Sequence, residues 1–470
     1  MSYARPERED SPAVEPDRTK PTRAIAEFAA SLDFDDLPPA VVDKAKACFL
    51  DWLIVTALGS REAVAVSVER ALASLSGFDD LASLIGRGAT ASPYFAALGN
   101  GMVSHCLDYD DMHVGMNGHP GAAVFPALLA VVEAEALPGE ALLRGFAVGA
   151  EVCCRLGVGL SPGHYDAGWH ATSTVGGIGA AMAVASAKSL DAATIGHAVG
   201  LAATQASGMQ RTFGSFGKSF NVGQASAGGV TAVELAIAGV NAPDETLVGE
   251  RGFAALHHGD DEALESALRT LGERFHMTET VLKKYASCYS THAPIEAAIN
   301  ISSNVETRLN EVDSIEVVVS PMAASVAGIT KPTTPTKARF SIGYCVAKAL
   351  TAGRLTSDAF IPAALLDPVT RQLSSKVRLI VDPTIHHQER RARISIVLSD
   401  GSKLCADADV TKETDAAPND WYTLQAKLAE LPNCDDWKAA LLDAVHGLET
   451  VQDCRLFIRR FFPVGEEALQ

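Results

Sequence analysis

Between residues 121 and 206 the chain reads as four consecutive helices, at 121–136, 139–156, 173–187 and 192–206, whose apolar faces are built largely of Ala and Gly. Small side chains on facing helices allow short interaxial distances. The stretch therefore points to a tightly packed helical body, and the wider segment from Thr22 to about Gly272 reads as helical almost throughout. Pro38-Pro39 leads into Val41-Val42-Asp43-Lys44-Ala45, a helix start with Pro in its first turn, and residues 50–58 extend it with a nearly all-apolar run. No fixed repeat period stands out.

After about Phe275 the pattern changes. Residues 314–319 (Ser-Ile-Glu-Val-Val-Val) and 377–381 are β-branched and read as strands, and 341–352 and 367–376 as helices. Residues 391–398 alternate in polarity and lead through Ser399-Asp400-Gly401 to 402–408, a hairpin with an Asp-Gly turn. Beyond Pro418 helical patterning returns at 421–431 and 437–448. The expected fold class is mainly α: a large all-helical domain (21–272), an inserted smaller α+β domain (273–412) and C-terminal helices (413–470) that rejoin the first. Residues 1–20 mix Glu, Asp, Arg and Pro without an apolar stretch and read as a disordered tail, neither signal nor transit peptide.

Charge and cysteine usage narrow the function. With 39 Lys and Arg against 57 Asp and Glu in 470 residues, the net charge is −18. That argues against nucleic-acid and anionic-membrane partners, which are drawn by basic surfaces. Nine scattered Cys without any Cys-x-x-Cys suit reduced thiols in a cytoplasmic protein.

Five polar blocks carry the candidate chemistry. The first runs from Asn100 through His105, Asp108, Asp110, Asp111 and His113 to His119-Pro120-Gly121. It fits metal-free acid–base chemistry, with His titrating near neutral pH and Asp orienting it. A metal site is the alternative, although the spacing matches no specific metal motif. The second, Gly168-Trp169-His170-Ala171-Thr172-Ser173, places a His just before a helix that Thr172 or Ser173 could cap. The third, Gly214-Ser-Phe-Gly217-Lys218-Ser219, resembles a phosphate loop only superficially, because Thr212 stands where its first Gly belongs and no strand precedes it. What remains is Lys218 among Phe213, Phe216 and Phe220. In the fourth, Lys284-Tyr285-Ala-Ser-Cys288-Tyr-Ser-Thr-His292, Cys288 and His292 would share a face if helical, but a buried, inert Cys is the simpler reading. The fifth, Lys337-Ala-Arg339-Phe340-Ser341-Ile-Gly-Tyr344, sets basic residues and a Tyr at a helix start.

In this order, the five blocks resemble the MmgE/PrpD family, which includes 2-methylcitrate dehydratase, cis-aconitate decarboxylase and iminodisuccinate epimerase. The resemblance covers nearly the whole chain after the tail. Lys283-Lys284-Tyr285 departs from the family's usual Lys-Pro-Tyr. The resemblance implies a helical domain with an inserted lid, a homodimer, no organic cofactor or metal, and a small di- or tricarboxylate substrate. It implies catalytic roles for Asp108, His119, His170, Lys218, His292 and Tyr344, with Tyr344 relaying a proton from the lid side. His105, Lys284, Lys337 and Arg339 are expected to bind substrate. The expected reaction is a lyase step at a carbon next to a carboxylate, dehydration or decarboxylation, with epimerisation of an imino- or amino-dicarboxylate as the alternative. A metal-dependent hydrolase or binding protein built on the 105–119 cluster is the third.

Overall fold

A computed structural model describes residues 20–386, 388–411 and 420–465. The expected tail thus falls outside the described residues apart from Lys20, as does the 412/413 boundary. The chain is mainly α, 61% helical.

The Ala- and Gly-lined helices form as Pro120–Ala134, Gly139–Leu160, Ala171–Ala187 and Ala192–Ala203. They pack as closely as their composition allows. A Cβ on Gly149 would lie 2.5 Å from the Gly179 carbonyl oxygen, and one on Gly176 would lie 2.6 Å from the Ala123 Cβ. Ala171–Ala187 is buried along its whole length, because it is flanked by Gly139–Leu160, Pro120–Ala134 and Phe216–Ile237. A helix enclosed on every side needs apolar residues all round. Its few polar residues therefore stand out, and Thr172, Ser173 and Thr174 all lie in the first turn. The Pro39–Gly59 helix adds Phe49 and Trp52 to an aromatic core with Phe125 and Phe146.

The helical pattern has one interruption that the sequence reading lacked. Ala82–Leu84 pairs antiparallel with Ala89–Ala91 around a turn where Gly86 and Gly88 adopt positive φ. The strands are only three residues long, too short to show alternation, and are anchored from outside. The buried Glu133 carboxylate accepts from the Ser83 amide (3.0 Å) and hydroxyl (2.7 Å).

Four strands form the larger sheet, in the order Val377–Val381, Val312–Val319, Arg391–Leu398, Lys403–Asp409, the first pair parallel and the others antiparallel. Ala392, Ile394, Ile396 and Leu398 turn inward from alternate positions. The His292–Val305 helix packs on the Arg391–Leu398 and Lys403–Asp409 strands and against the Ile342–Ala352 helix. The Asp400-Gly401 turn forms as expected, with Gly401 at φ +81°.

The last helices return to the first part of the chain. Asp420–Ala429 and Asp435–His446 pack on Pro39–Gly59, and Cys454–Phe461 on Pro120–Ala134. Two ion pairs fix the return: Lys427 with Asp51, both buried, and Lys44 with Asp420 at 2.6 Å. Among the described residues no helix is long and apolar enough to cross a membrane. All nine cysteines are free thiols, seven of them buried.

Candidate active site

The first polar block leaves the Pro93–Ser104 helix and turns at Asp108, whose φ of +51° aims the following residues back into the protein. Two short β-bridges then hold the loop. His113 pairs with Gly118, and Met112 exchanges 2.8 Å backbone hydrogen bonds with Val281. The second bridge delivers Lys283 to Asp108. The fully buried Lys283 ammonium donates to Asp108 Oδ1 (2.7 Å), the Asp108 carbonyl (2.9 Å) and the Ser287 carbonyl (3.3 Å). These three bonds use all its donors.

Lys218 arrives from the opposite side, in the first turn of the Phe216–Ile237 helix. Its Nζ donates to Asp108 Oδ1 at 3.1 Å and lies 5.3 Å from the ring centroids of both Phe213 and Phe340. One N–H of three is thereby spent on Asp108, and the aromatic walls keep the ammonium partly dry. Burial alone would raise the Asp108 pKa, but Lys218 and Lys283, then His119 and His105, outweigh it and hold the carboxyl well below its usual range.

The imidazoles are ordered by Asp110. Its Oδ2 lies 2.8 Å from His105 Nδ1 and 3.0 Å from His119 Nδ1, and His119 Nδ1 also lies 2.6 Å from the Asp111 carbonyl. Since a carbonyl only accepts, His119 carries a proton on Nδ1, leaving Nε2 toward Asp108 Oδ1 at 3.7 Å. His170 has the opposite arrangement. The Asn221 amide, which also reaches Thr212 Oγ1 at 3.1 Å, donates to His170 Nδ1 at 3.3 Å, so the neutral ring bears its proton on Nε2. Burial, followed by Lys218, His105 and His119, pushes the His170 pKa well below normal. His105 is lowered to about 4 by burial, against the opposing pull of Asp110.

Thr172 does not cap its helix. The helix begins at Ala171, with His170 at the capping position, and Thr172 Oγ1 instead accepts the His119 backbone N–H at 3.2 Å. The polar first turn of the central helix thus positions the His119 loop.

Asp108, His119, His170 and Lys218 line one pocket. Its far wall comes from the sheet-bearing part of the chain: Tyr289, Ser290, Met322, Phe340 and the buried Arg390, whose Nη2 donates to Asn117 Oδ1 at 3.3 Å. His105 and Arg339 border a smaller chamber on the other side of Lys218.

The structure does not bring the remaining expected residues to the pocket. His292 is buried between the rings of Tyr285 and Tyr289, behind Lys283. Burial and Lys283 hold its pKa well below normal. Tyr344 lines a separate cavity and donates its hydroxyl to the Ala359 carbonyl, so the expected lid-side relay has no geometry here. Lys284 is half-exposed beside Glu296, since it is the neighbouring Lys283 that turns inward. Lys337 is exposed, with Nζ 3.5 Å from Thr333 Oγ1. Cys288 does line the pocket, but it precedes a 3-10 turn and the helix starts only at His292, so the two share no helical face. Burial raises the Cys288 thiol pKa, which keeps it protonated and a poor nucleophile.

Sequence reasoning missed Lys283, Asp110 as the anchor of two imidazoles, and Arg390. Asp110 was visible within the first block. Lys283 and Arg390 carry no local signal, because tertiary contacts alone bring Lys283 to Asp108 and Arg390 to the pocket wall.

The geometry also bears on metal binding. His105, Asp110 and His119 cluster closely enough to be considered as ligands. Yet the Asp110 oxygen between the two rings is already the acceptor for two Nδ1–H groups, and a metal there would have to displace those protons. The donor set is a hydrogen-bond network rather than a ligand shell.

Comparison with known proteins gives a consistent picture. The MmgE/PrpD N-terminal domain matches residues 23–265, and the MmgE/PrpD C-terminal domain residues 285–434. Cis-aconitate decarboxylase of Homo sapiens is 27% identical over 77% of this chain and 78% of its own length. Cis-aconitate decarboxylase of Mus musculus is 26% identical over 93% and 92%. Cis-aconitate decarboxylase of Aspergillus terreus is 28% identical over 62% and 61%.

Proposed function

From the premise that the chain belongs to the MmgE/PrpD family and is an enzyme of the lyase class, we propose that it is a cofactor-free lyase acting on a small di- or tricarboxylate. The observation that carries this reading is the meeting, in one buried pocket, of an ammonium with spare donors and two imidazoles of opposite tautomer.

The chemistry follows from those groups. Lys218 takes a substrate carboxylate with the N–H groups that Asp108 leaves over, and stabilises negative charge developing on the adjacent carbon. His119 presents a basic Nε2, supported through Nδ1 by Asp110, and serves as the general base. His170, kept neutral by burial and the neighbouring cations, presents Nε2–H as a hydrogen-bond donor to a substrate oxygen or a departing hydroxyl. Asp108, locked by Lys283, holds Lys218 in place and compensates its charge. Arg390 closes the pocket from the sheet side.

Decarboxylation is the preferred step. Loss of CO2 leaves an electron pair on the α-carbon, Lys218 offsets that charge, and a proton taken up from water completes the product. The sheet-bearing part, taken as 273–412, acts as the lid, since Tyr289, Met322, Phe340 and Arg390 cover the helical side of the pocket. A cytoplasmic homodimer is the proposed assembly, in keeping with the exposed Leu235, Ile237 and Val240.

NMR of the protein in D2O with cis-aconitate, 2-methylcitrate and iminodisuccinate tests the reading. CO2 loss with one deuteron incorporated, or dehydration, is expected. Exclusive α-proton exchange or epimerisation would replace the lyase by an epimerase, and no change in any acid would refute the proposal.

A further inference from the structure

The inward face of the larger sheet is incompletely covered. On the Val312–Val319 strand, Ile315, Val317 and Val319 turn inward and are at most 1% exposed. Their register partners on the edge strand, Val377, Leu379 and Val381, point to the same face. Yet Val377 and Leu379 are only half-buried, and Val381 is 50% exposed. An apolar row that is dry on one strand and open on the next marks a core left unfilled at its edge.

The opening is a cavity of about 610 Å³, within the range of small-molecule sites. Val377 and Leu379 line it together with Ile329, Leu365 and Tyr344, whose hydroxyl is committed to the Ala359 carbonyl. The Ile329 wall is fixed in advance. Its amide donates to the Phe340 carbonyl at 3.2 Å, and its carbonyl accepts from the Ser341 hydroxyl at 2.5 Å.

Charge at this cavity has one sign. Lys331 and Arg371 line it, both exposed, and neither side chain makes a hydrogen bond or ion pair among the described residues. No described acidic residue lines it, while Thr330, Ser374 and Ser375 add hydroxyls. In a chain of net charge −18, two unanswered cations beside an apolar wall select an anion with an apolar body.

We propose that this cavity is a binding site for an amphipathic carboxylate, a medium-length apolar chain ending in the anion. The chain lies along Val377 and Leu379, and the carboxylate meets Lys331 and Arg371. The site is separate from the catalytic pocket, with which it shares no lining residue.

Calorimetric titration with octanoate, hexanoate and butyrate tests the site. One octanoate per chain is expected, with affinity falling about two- to fourfold for each methylene removed. Gly343→Leu fills the cavity from a position where an added Cβ would meet the Val377 Cβ at an ordinary 3.6 Å. It is expected to weaken octanoate by about tenfold or more. Arg371→Glu, an exposed substitution, is expected to weaken octanoate about ten- to a hundredfold, and decides the matter if Gly343→Leu fails to fold. Lys218→Ala, which alters the catalytic pocket, is expected to leave octanoate affinity within about twofold. Absence of octanoate binding, affinity independent of chain length, or unchanged affinity in Arg371→Glu would overturn the site. Loss of octanoate binding in Lys218→Ala would place the acid in the catalytic pocket and overturn it equally.

Discussion

Replacing Lys283 by Met removes a buried ammonium of similar length and leaves three acceptors behind: Asp108 Oδ1, the Asp108 carbonyl and the Ser287 carbonyl. Asp108 keeps Lys218 as a partner, so its carboxylate is not stranded, but two backbone carbonyls are. Breaking a buried ion pair together with those bonds costs on the order of 3–5 kcal/mol. The sign of the pH effect follows from linkage. The folded Asp108 pKa lies well below its ordinary value, so its contribution to stability is fully present above about pH 4 and is lost as pH falls further. Without Lys283 the Asp108 pKa rises, because one adjacent positive charge is lost. The acid limb of kcat/KM therefore moves upward. Denaturant unfolding at pH 7 and a pH–rate profile of Lys283→Met measure both effects. Stability within about 1 kcal/mol of wild type together with an unmoved acid limb would refute the central place given to the Lys283–Asp108–Lys218 triad.

Three further expectations follow from other parts of the site and fold. Asp110→Asn removes the negative charge that the His105 and His119 Nδ1–H groups share, so kcat should fall about ten- to a hundredfold with little change in KM, as steady-state kinetics will show. Cys288→Ala should retain activity within about threefold, and wild-type protein should resist alkylation at this position at pH 7, because burial keeps the thiol protonated. Burial raises the Glu133 pKa to about 7, so the folded state retains a proton that the unfolded chain loses near pH 4.5. Stability from this group accordingly declines as pH rises between those values, by about 3 kcal/mol in all. Glu133→Gln should flatten that decline in thermal unfolding followed from pH 5 to 8.

The helical half was legible because its signal is local: Ala- and Gly-rich faces dictate close packing, and Gly149 against Gly179 shows it. The Asp400-Gly401 hairpin was legible for the same reason. The three-residue strands near Ser83 were not, since their anchor is Glu133, 50 residues away. At the site, Asp108, His119, His170 and Lys218 were found because each stands in a dense polar block amid apolar sequence. Choosing between Lys283 and Lys284 was beyond a local reading, because the Met112–Val281 bridge decides which ammonium turns inward. Tyr344 shows the converse error. A Tyr at a helix start looked available, but its hydroxyl is occupied by the Ala359 carbonyl. The net charge of −18 describes the exterior. Inside, the cations come with acidic partners, Lys218 and Lys283 with Asp108 and Arg339 with Glu62, so the pocket is a balanced network with spare donors.

The most direct test of the account is turnover by Lys218→Ala on the acid that the wild-type chain converts, with circular dichroism and unfolding recorded alongside. Among the described residues, Lys218 is the one ammonium that reaches the pocket with donors to spare. Loss of its charge stabilisation should cut kcat/KM by about a thousandfold or more, roughly the worth of 4 kcal/mol of transition-state stabilisation, in a protein that remains folded. A folded Lys218→Ala variant with a rate within about threefold of wild type would contradict the account and place the chemistry elsewhere.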